Sequence, residues 1–127
     1  MLLHDPAGQE AWEGTFRAVT LARAVLEPEL ATDQMLSEVA WAWLLEALTA
    51  HGVPPVAVGG TVTRVLSESF GALSDRPPSV EVEVRASWTP TEATAGASLA
   101  AWVDLLCTAA GLPPLPAGVV SLPRRLP

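Results

Sequence analysis

The stretch VAWAWLLEALTAHGVPP, residues 39–55, decides the fold because the chain repeats it in altered form. A shift of 59 positions aligns it with residues 98–114, SLAAWVDLLCTAAGLPP. The identical positions are Ala42, Trp43, Thr49, Ala50, Gly52, Pro54 and Pro55 in the first copy and Ala101, Trp102, Thr108, Ala109, Gly111, Pro113 and Pro114 in the second. Both copies indicate an amphipathic helix that ends at glycine and is followed by proline. A similar strand is predicted before each helix, and residues 23–28 (RAVLEP) of the first resemble residues 85–90 (RASWTP) of the second.

The repeat also predicts which face of each helix packs against a sheet, because the same apolar spacing of i, i+3, i+4 and i+7 occurs in both copies. The predicted core faces are Ala40, Trp43, Leu44 and Ala47 in the first helix and Leu99, Trp102, Val103 and Leu106 in the second. The copies differ on one flank, where Trp41 and Leu45 correspond to Ala100 and Asp104. We call Trp41 and Leu45 the α1 flank. They are the candidate interface residues.

The remaining elements follow from local patterns. Residues 1–4 begin a strand, residues 5–8 (DPAG) match a type I turn, and residues 15–26 form a long strand. Asp33 is the predicted N-cap of a helix over residues 34–51. Residues 61–70 favour a strand, although their apolar spacing also fits a helix. Residues 80–88 alternate apolar and polar side chains, which indicates a strand with one wet face.

The element order is therefore β-β-α-β-β-α. It predicts an α+β two-layer sandwich in which a four-stranded antiparallel sheet carries both helices on one face. The duplication predicts two β-β-α units, at about residues 1–55 and 59–114, within a single domain of residues 1–127. Residues 112–127 (LPPLPAGVVSLPRRLP) are rich in proline and predict an extended tail.

Composition excludes several classes of protein. Fourteen acidic residues against seven arginines give a formal net charge of −7, which argues against nucleic acid as a partner. No run approaches the ~20 apolar residues that a membrane helix needs, and no signal-peptide pattern follows Met1. Cys107 is the one cysteine, so no internal disulfide is possible and a reducing, cytoplasmic location is expected.

No combination of residues indicates a specific reaction. His4 and Asp5 are adjacent and could form an acid–base pair, but the turn already accounts for Asp5. Arg64 and Glu68 could bind an anion, although charge pairing across the hairpin with residues 81–85 is the simpler interpretation. The sequence has no GxSxG elbow, and the Gly-Gly-Thr stretch of residues 59–61 fits no phosphate-binding loop. We expect no metal and no cofactor, and we lean against an enzyme.

Several long phrases resemble a known family: HDPAGQEAWEGTFR, VAWAWLLEAL, GGTVTRVLSESFG, VEVRASWTP and LLCTAAGLPPLPAGVV. They are similar to consecutive stretches of an actinobacterial family of unknown function, catalogued as domain of unknown function three thousand. The resemblance runs from about His4 to the tail. It implies that longer members carry a further N-terminal segment with a strand, absent here. From the asymmetry of the two helices we predict that the α1 flank packs under this segment in longer members, and that in this chain it is more exposed than Trp43 and Leu44 or covered by a second subunit. The family has no established activity, so the resemblance assigns no site residues.

Two functional hypotheses follow. The first is a non-enzymatic cytoplasmic binding or scaffold module that uses an apolar flank to hold a protein partner or form a homodimer. The alternative is an enzyme or carrier for a small hydrophobic, acyl-like ligand held between sheet and helices. A closed pocket with convergent polar groups would favour the alternative, whereas a solid core with an exposed apolar flank would favour the module.

Overall fold

A computed structural model describes residues 1–111, except for the side chain of Ala31. The tail predicted for residues 112–127 lies outside the described residues. The four strands and two helices are β1 (Leu2–Gln9), β2 (Gly14–Leu26), α1 (Leu36–Ala50), β3 (Gly59–Ser67), β4 (Ser79–Trp88) and α2 (Ala95–Ala109). The sheet has the order β1-β2-β4-β3, and every neighbouring pair is antiparallel. This arrangement confirms the α+β sandwich, and it makes residues 59–67 a strand and not a helix.

The core lies between the sheet and the two helices. On β4 the buried side chains alternate as the sequence predicts: Val80, Val82, Val84, Ala86 and Trp88. Ala18, Ala22 and Leu26 supply the buried face of β2. These residues form one cluster with Ala40, Leu44 and Leu48 of α1 and Ala101 and Leu105 of α2. Contiguous burial of this kind supplies most of the favourable free energy of folding.

The ends of α1 follow from two local devices. The predicted N-cap at Asp33 is wrong, because α1 begins at Leu36, two residues after the predicted start, with Met35 as its N-cap and no side-chain cap hydrogen bond. The carboxylate of Asp33 instead accepts the backbone N–H of Met35 at 2.8 Å and shapes the turn before the helix. At its end, Gly52 adopts a left-handed φ of 68°. The N–H of Val53 then donates to the carbonyl of Leu48 at 2.9 Å, and that of Gly52 to Thr49 at 3.1 Å. This pattern is the Schellman ending that the Gly-x-Pro signal predicts.

The predicted type I turn at residues 5–8 is wrong. These residues belong to β1, which is irregular between His4 and Gln9 because its register with β2 shifts there. The carboxylate of Asp5 accepts the N–H of Ala7 at 3.0 Å and the side-chain amide of Gln9 at 2.6 Å. Asp5 and Gly8, which has a φ of 80°, therefore shape a bulged strand instead of a turn between strands.

The predicted core face of α2 is wrong for Leu99 and Val103. The buried residues of α2 are Ser98, Ala101, Leu105 and Ala109, whereas Leu99 is 62 % exposed and Val103 is 45 % exposed. The rotation has a physical cause, since the indole N–H of buried Trp88 donates to the Ser98 hydroxyl at 3.0 Å and holds Ser98 inward. The internal duplication, which supplied the predicted face, stays a prediction.

Candidate functional site

The α1 flank lies beside the first residues of β3. Trp41 is half-buried and packs against the core, as Trp43 does. Its ring lies close enough to Gly60 that a side-chain carbon on that glycine would come within 2.9 Å of it. Leu45 is half-buried, whereas its neighbour Leu44 is fully buried. The flank thus combines one tryptophan anchored on the core with one partly exposed leucine.

The structure does not bring His4 and Asp5 together as an acid–base pair. The His4 ring stacks on Phe16 of β2 with their centroids 4.3 Å apart, and the Asp5 carboxylate is bonded to Ala7 and Gln9. Both residues therefore contribute to the pairing of β1 with β2, and we assign them no chemistry.

Arg64 and Glu68 do not form the predicted cross-hairpin pairs. Arg64 donates to the backbone carbonyl of Asp33 at 2.6 Å, next to the start of α1. Glu68 lies beyond the end of β3. Arg64 thus ties β3 to the segment before α1.

An ionic network occupies the outer face of the sheet, away from the helices. Glu83 accepts hydrogen bonds from Arg23 at 2.8 Å and from Arg85, and Glu81 lies 3.7 Å from Arg23. The hydrogen bonds from Arg23 and Arg85 hold the pKa of Glu83 below its ordinary value. The bond to Glu83 in turn raises the pKa of Arg23. Mutual neutralisation leaves this network little capacity to bind a charged ligand.

A second ionic contact joins the two helices. The ring of His51, just after α1, lies 2.6 Å from the carboxylate of Asp104 on α2, and both side chains are half-buried. The sequence analysis attributed His51 to its helix end alone. Across residues 1–111, no group of three or more His, Cys, Asp or Glu side chains could hold a metal ion. Cys107 is half-buried on α2.

An open hollow of about 1060 Å³ lies where β1 begins, at the middle of β2 and beside α2. Its lining includes Met1, Leu2, Leu21, Trp88, Leu99 and Trp102. Most of its lining surface is apolar, and its polar lining residues are Thr20, Thr61, Arg85, Ser87 and Ser98. The sequence analysis did not predict this hollow, because it placed Leu99 in the core.

The polar groups beside the hollow are largely satisfied by the protein itself. The Ser98 hydroxyl accepts from Trp88 at 3.0 Å, and the Thr20 hydroxyl donates to the carbonyl of Ala86 at 2.9 Å. Ser87 accepts from Arg17 at 2.8 Å. Trp102 donates its indole N–H to the carbonyl of Leu21 at 3.2 Å. No set of free polar groups converges here as the binding of a polar substrate requires.

Part of β2 forms an edge of the sheet beside the hollow. Val19 exchanges two backbone hydrogen bonds of 2.8 Å with Met1, so its N–H and C=O point away from β4. Since alternate residues of a strand share this direction, the backbone groups of Leu21, Arg23 and Val25 point the same way. The structure, as far as Gly111, shows no strand beside them.

Exposed apolar side chains flank this edge. Leu21 is 47 % exposed and Val25 is 72 % exposed on the outer face of β2, and Leu99 and Val103 lie on the neighbouring helix. We call these four side chains, with the backbone edge of residues 21–26, the β2–α2 flank. The repeat could not reveal it, because that alignment placed Leu99 and Val103 inside.

The fold and these surfaces define a small α+β domain whose most prominent surface feature is apolar. The family described as "Protein of unknown function (DUF3000)" matches residues 1–120, and the chain belongs to it. No curated protein and no solved structure matches the chain. In the part of the chain that the structure describes, neither helix has the length and apolar character to cross a membrane.

Proposed function

We propose that this domain is a non-enzymatic, cytoplasmic binding or scaffold module that holds a protein partner or a second copy of itself on an apolar surface. The observation that carries the proposal is the β2–α2 flank, where four large apolar side chains surround a free backbone edge. Contiguous apolar surface of this kind marks sites of protein association. The α1 flank, Trp41 and Leu45, is a second candidate contact for such a partner.

The bonding of the polar side chains beside the hollow supports a binding role over catalysis. Ser87, Ser98 and Thr20 are engaged with Arg17, Trp88 and Ala86. A catalytic site requires groups free to contact a substrate. The single cysteine of the sequence supports the cytoplasmic location.

A second candidate is a carrier or enzyme for a small hydrophobic, acyl-like ligand. The hollow favours it, because about 1060 Å³ matches the upper range of ligand pockets, roughly 300–1,000 Å³. Its wide opening favours the module, since ligand sites commonly bury most of the ligand surface.

Capture experiments on the full chain test the proposal. Three tagged proteins are incubated with extract of the native host: wild type, Leu99→Glu and Val65→Glu. The proteins that each one retains are identified, and each complex is then reconstituted from purified components. Val65 is a matched control because it is 48 % exposed but lies on β3, at the other edge of the sheet. We expect a stoichiometric protein, or the untagged chain itself, that Leu99→Glu loses and Val65→Glu keeps.

Titration with a medium-chain fatty acid such as decanoate distinguishes the carrier from the binding module. Trp88 and Trp102 line the hollow, so a bound acyl chain would change their fluorescence. The module predicts no saturable change. Saturable one-to-one binding, without any retained protein, would replace the module by the carrier.

A further inference from the structure

We propose that the occupant of the β2–α2 flank is a second copy of this chain, paired edge to edge through β2 in antiparallel register. The inference rests on the proposed function and names its partner. In the sheet layer, residues 21–26 pair with the same strand of the second copy. In the helix layer, Leu99 and Val103 contact the second copy.

The first argument is that the edge of β2 and the exposed apolar face of α2 lie at the same side of the molecule. The backbone N–H and C=O groups of Arg23 and Val25, and the N–H of Leu21, point outward from the sheet without a partner among residues 1–111. Unpaired edges of this kind favour pairing with another strand. Trp102 joins the layers, because its indole reaches from α2 to the carbonyl of Leu21. Leu99 lines the hollow at this margin, and Val103 lies one turn further along α2 and is 45 % exposed.

A lone extended peptide would pair with the strand edge and leave the helix layer bare. A second copy offers a strand and an apolar helix in the same relative placement. A twofold axis perpendicular to the sheet would continue both layers at once, with strand beside strand and α2 beside the partner's α2. An antiparallel pair of identical strands is itself twofold symmetric, so this edge is complementary to its own copy.

The second argument is electrostatic. The chain carries 14 acidic residues and a net charge of −7, so most contacts between two copies would bring like charges together. Residues 21–26 (LARAVL) and 95–103 (AGASLAAWV) contain no acidic side chain. The one cation between them, Arg23, is already paired with Glu83 at 2.8 Å. The flank is therefore a margin where two copies can meet without repulsion.

Charge and sterics also select the register. Pairing centred on Arg23 would place two arginines directly opposite each other, which destabilises a sheet. A register centred on Ala22 would bring Val25 against the partner's Val19, which already pairs with Met1. Pairing centred on Ala24 avoids both conflicts. It sets Arg23 opposite the partner's Val25 and Leu21 opposite the partner's Glu27.

Sedimentation of the full chain over a wide concentration range tests this pairing. We expect wild-type protein to reach twice its 13.3 kDa mass. Leu99→Glu should raise the dimer dissociation constant by at least about a hundredfold, because it buries an unpaired charge in the helix layer. Leu21→Glu should also raise the dissociation constant, because pairing centred on Ala24 sets residue 21 opposite the partner's Glu27. Val65→Glu, the matched outer-face change on β3, should leave it unchanged. Far-UV circular dichroism confirms that each variant is folded.

Amide hydrogen exchange supplies an independent signature. In the dimer, the amides of Leu21, Arg23 and Val25 gain protection as the protein concentration rises, because these N–H groups point to the edge. The amides of Ala22 and Ala24 point to β4 and should already be protected in the monomer.

Three results would overturn the pairing. The first is a wild-type chain that stays monomeric at every concentration. If such a monomer still protects Leu21, Arg23 and Val25, a segment of the same chain such as residues 112–127 covers the edge. The second is a dimer that survives both glutamate variants, which would place the contact elsewhere. The third is capture of a different protein but not of the untagged chain, which ends this inference while the binding module stands.

Discussion

At the scale of single residues, the hydrogen bond from Trp88 to Ser98 determines how α2 sits on the sheet. Trp88 has no exposed surface, so removing its acceptor leaves a buried indole N–H without a partner. Ser98→Ala should lower the free energy of unfolding by about 1–3 kcal/mol. Urea denaturation measures it, with Ser37→Ala on α1 as the control. Equal losses in the two variants would show that the bond contributes nothing.

Two adjacent glycines differ sharply in the space around them. A methyl group on Gly60 would overlap the carbonyl oxygen of Arg85 and lie 2.9 Å from both the Cα of Ala86 and the ring of Trp41. A methyl group on Gly59 would meet nothing within 4 Å. We expect Gly60→Ala to cost about 1–3 kcal/mol through overpacking and Gly59→Ala to be nearly neutral. Thermal unfolding of both proteins checks this, and similar melting temperatures would contradict it.

The carboxylate of Glu83 should make stability depend on pH. Hydrogen bonds from Arg23 and Arg85 lower its pKa in the folded protein. Its contribution is therefore present above the pKa of the unfolded chain and is lost as pH falls through the folded value. Urea unfolding at a series of pH values between neutral and strongly acidic should show a weaker acid dependence in Glu83→Gln than in wild type.

A double-mutant cycle supplies the control for this prediction. Arg23→Gln removes one donor to Glu83, so it should also weaken the acid dependence. The double variant should then add little beyond Glu83→Gln alone. An acid dependence that is unchanged in Glu83→Gln would show that the network is fully screened by solvent.

At the scale of elements, sequence patterns predict the features that depend on the spacing of residues close together in the chain. The alternation on β4 predicts its buried face from Val80 to Trp88, and Gly52 with Pro54 predicts the end of α1. The face of α2 depends on a tertiary contact, since Ser98 turns inward to meet Trp88. The repeat therefore identified the helix but not its rotation. Likewise, the α1 flank emerged from comparing the copies, whereas the free edge of β2 depends on strand pairing that no local pattern encodes.

The two residues of the α1 flank should respond differently to substitution. Trp41 packs against the core and over Gly60, so Trp41→Gln should cost about 1–3 kcal/mol. Leu45 is half-buried beside fully buried Leu44, so Leu45→Gln should keep the helix content, cost less than about 1 kcal/mol and raise the solubility of the protein. Urea unfolding and the solubility limit measure these effects. If Leu45→Gln unfolds as readily as Trp41→Gln, Leu45 is ordinary core.

At the scale of the whole molecule, the distribution of charge matters more than its total. Acidic side chains are spread over the loops, the outer face of the sheet and α1, and Asp104 on α2 is paired with His51. The β2–α2 flank carries none. An acidic chain with an apolar margin that lacks acidic side chains repels copies of itself in most orientations and favours association at that margin. In the proposed dimer, charge contributes to the specificity of the contact and the apolar surface to its strength.

The proposed pairing predicts that thermal stability depends on protein concentration. A dimer that unfolds to two separate chains gains stability by mass action, so its melting temperature rises with concentration. For two chains of this length, the rise should be about 2–4 °C for each tenfold increase. Leu99→Glu should melt at a temperature independent of concentration, because the exposed side chain of Leu99 contributes to pairing and little to the core. Its melting temperature should approach that of dilute wild-type protein, whereas Val65→Glu should keep the wild-type slope. A wild-type melting temperature that does not change with concentration would remove the dimer from this account and leave the flank to a different protein.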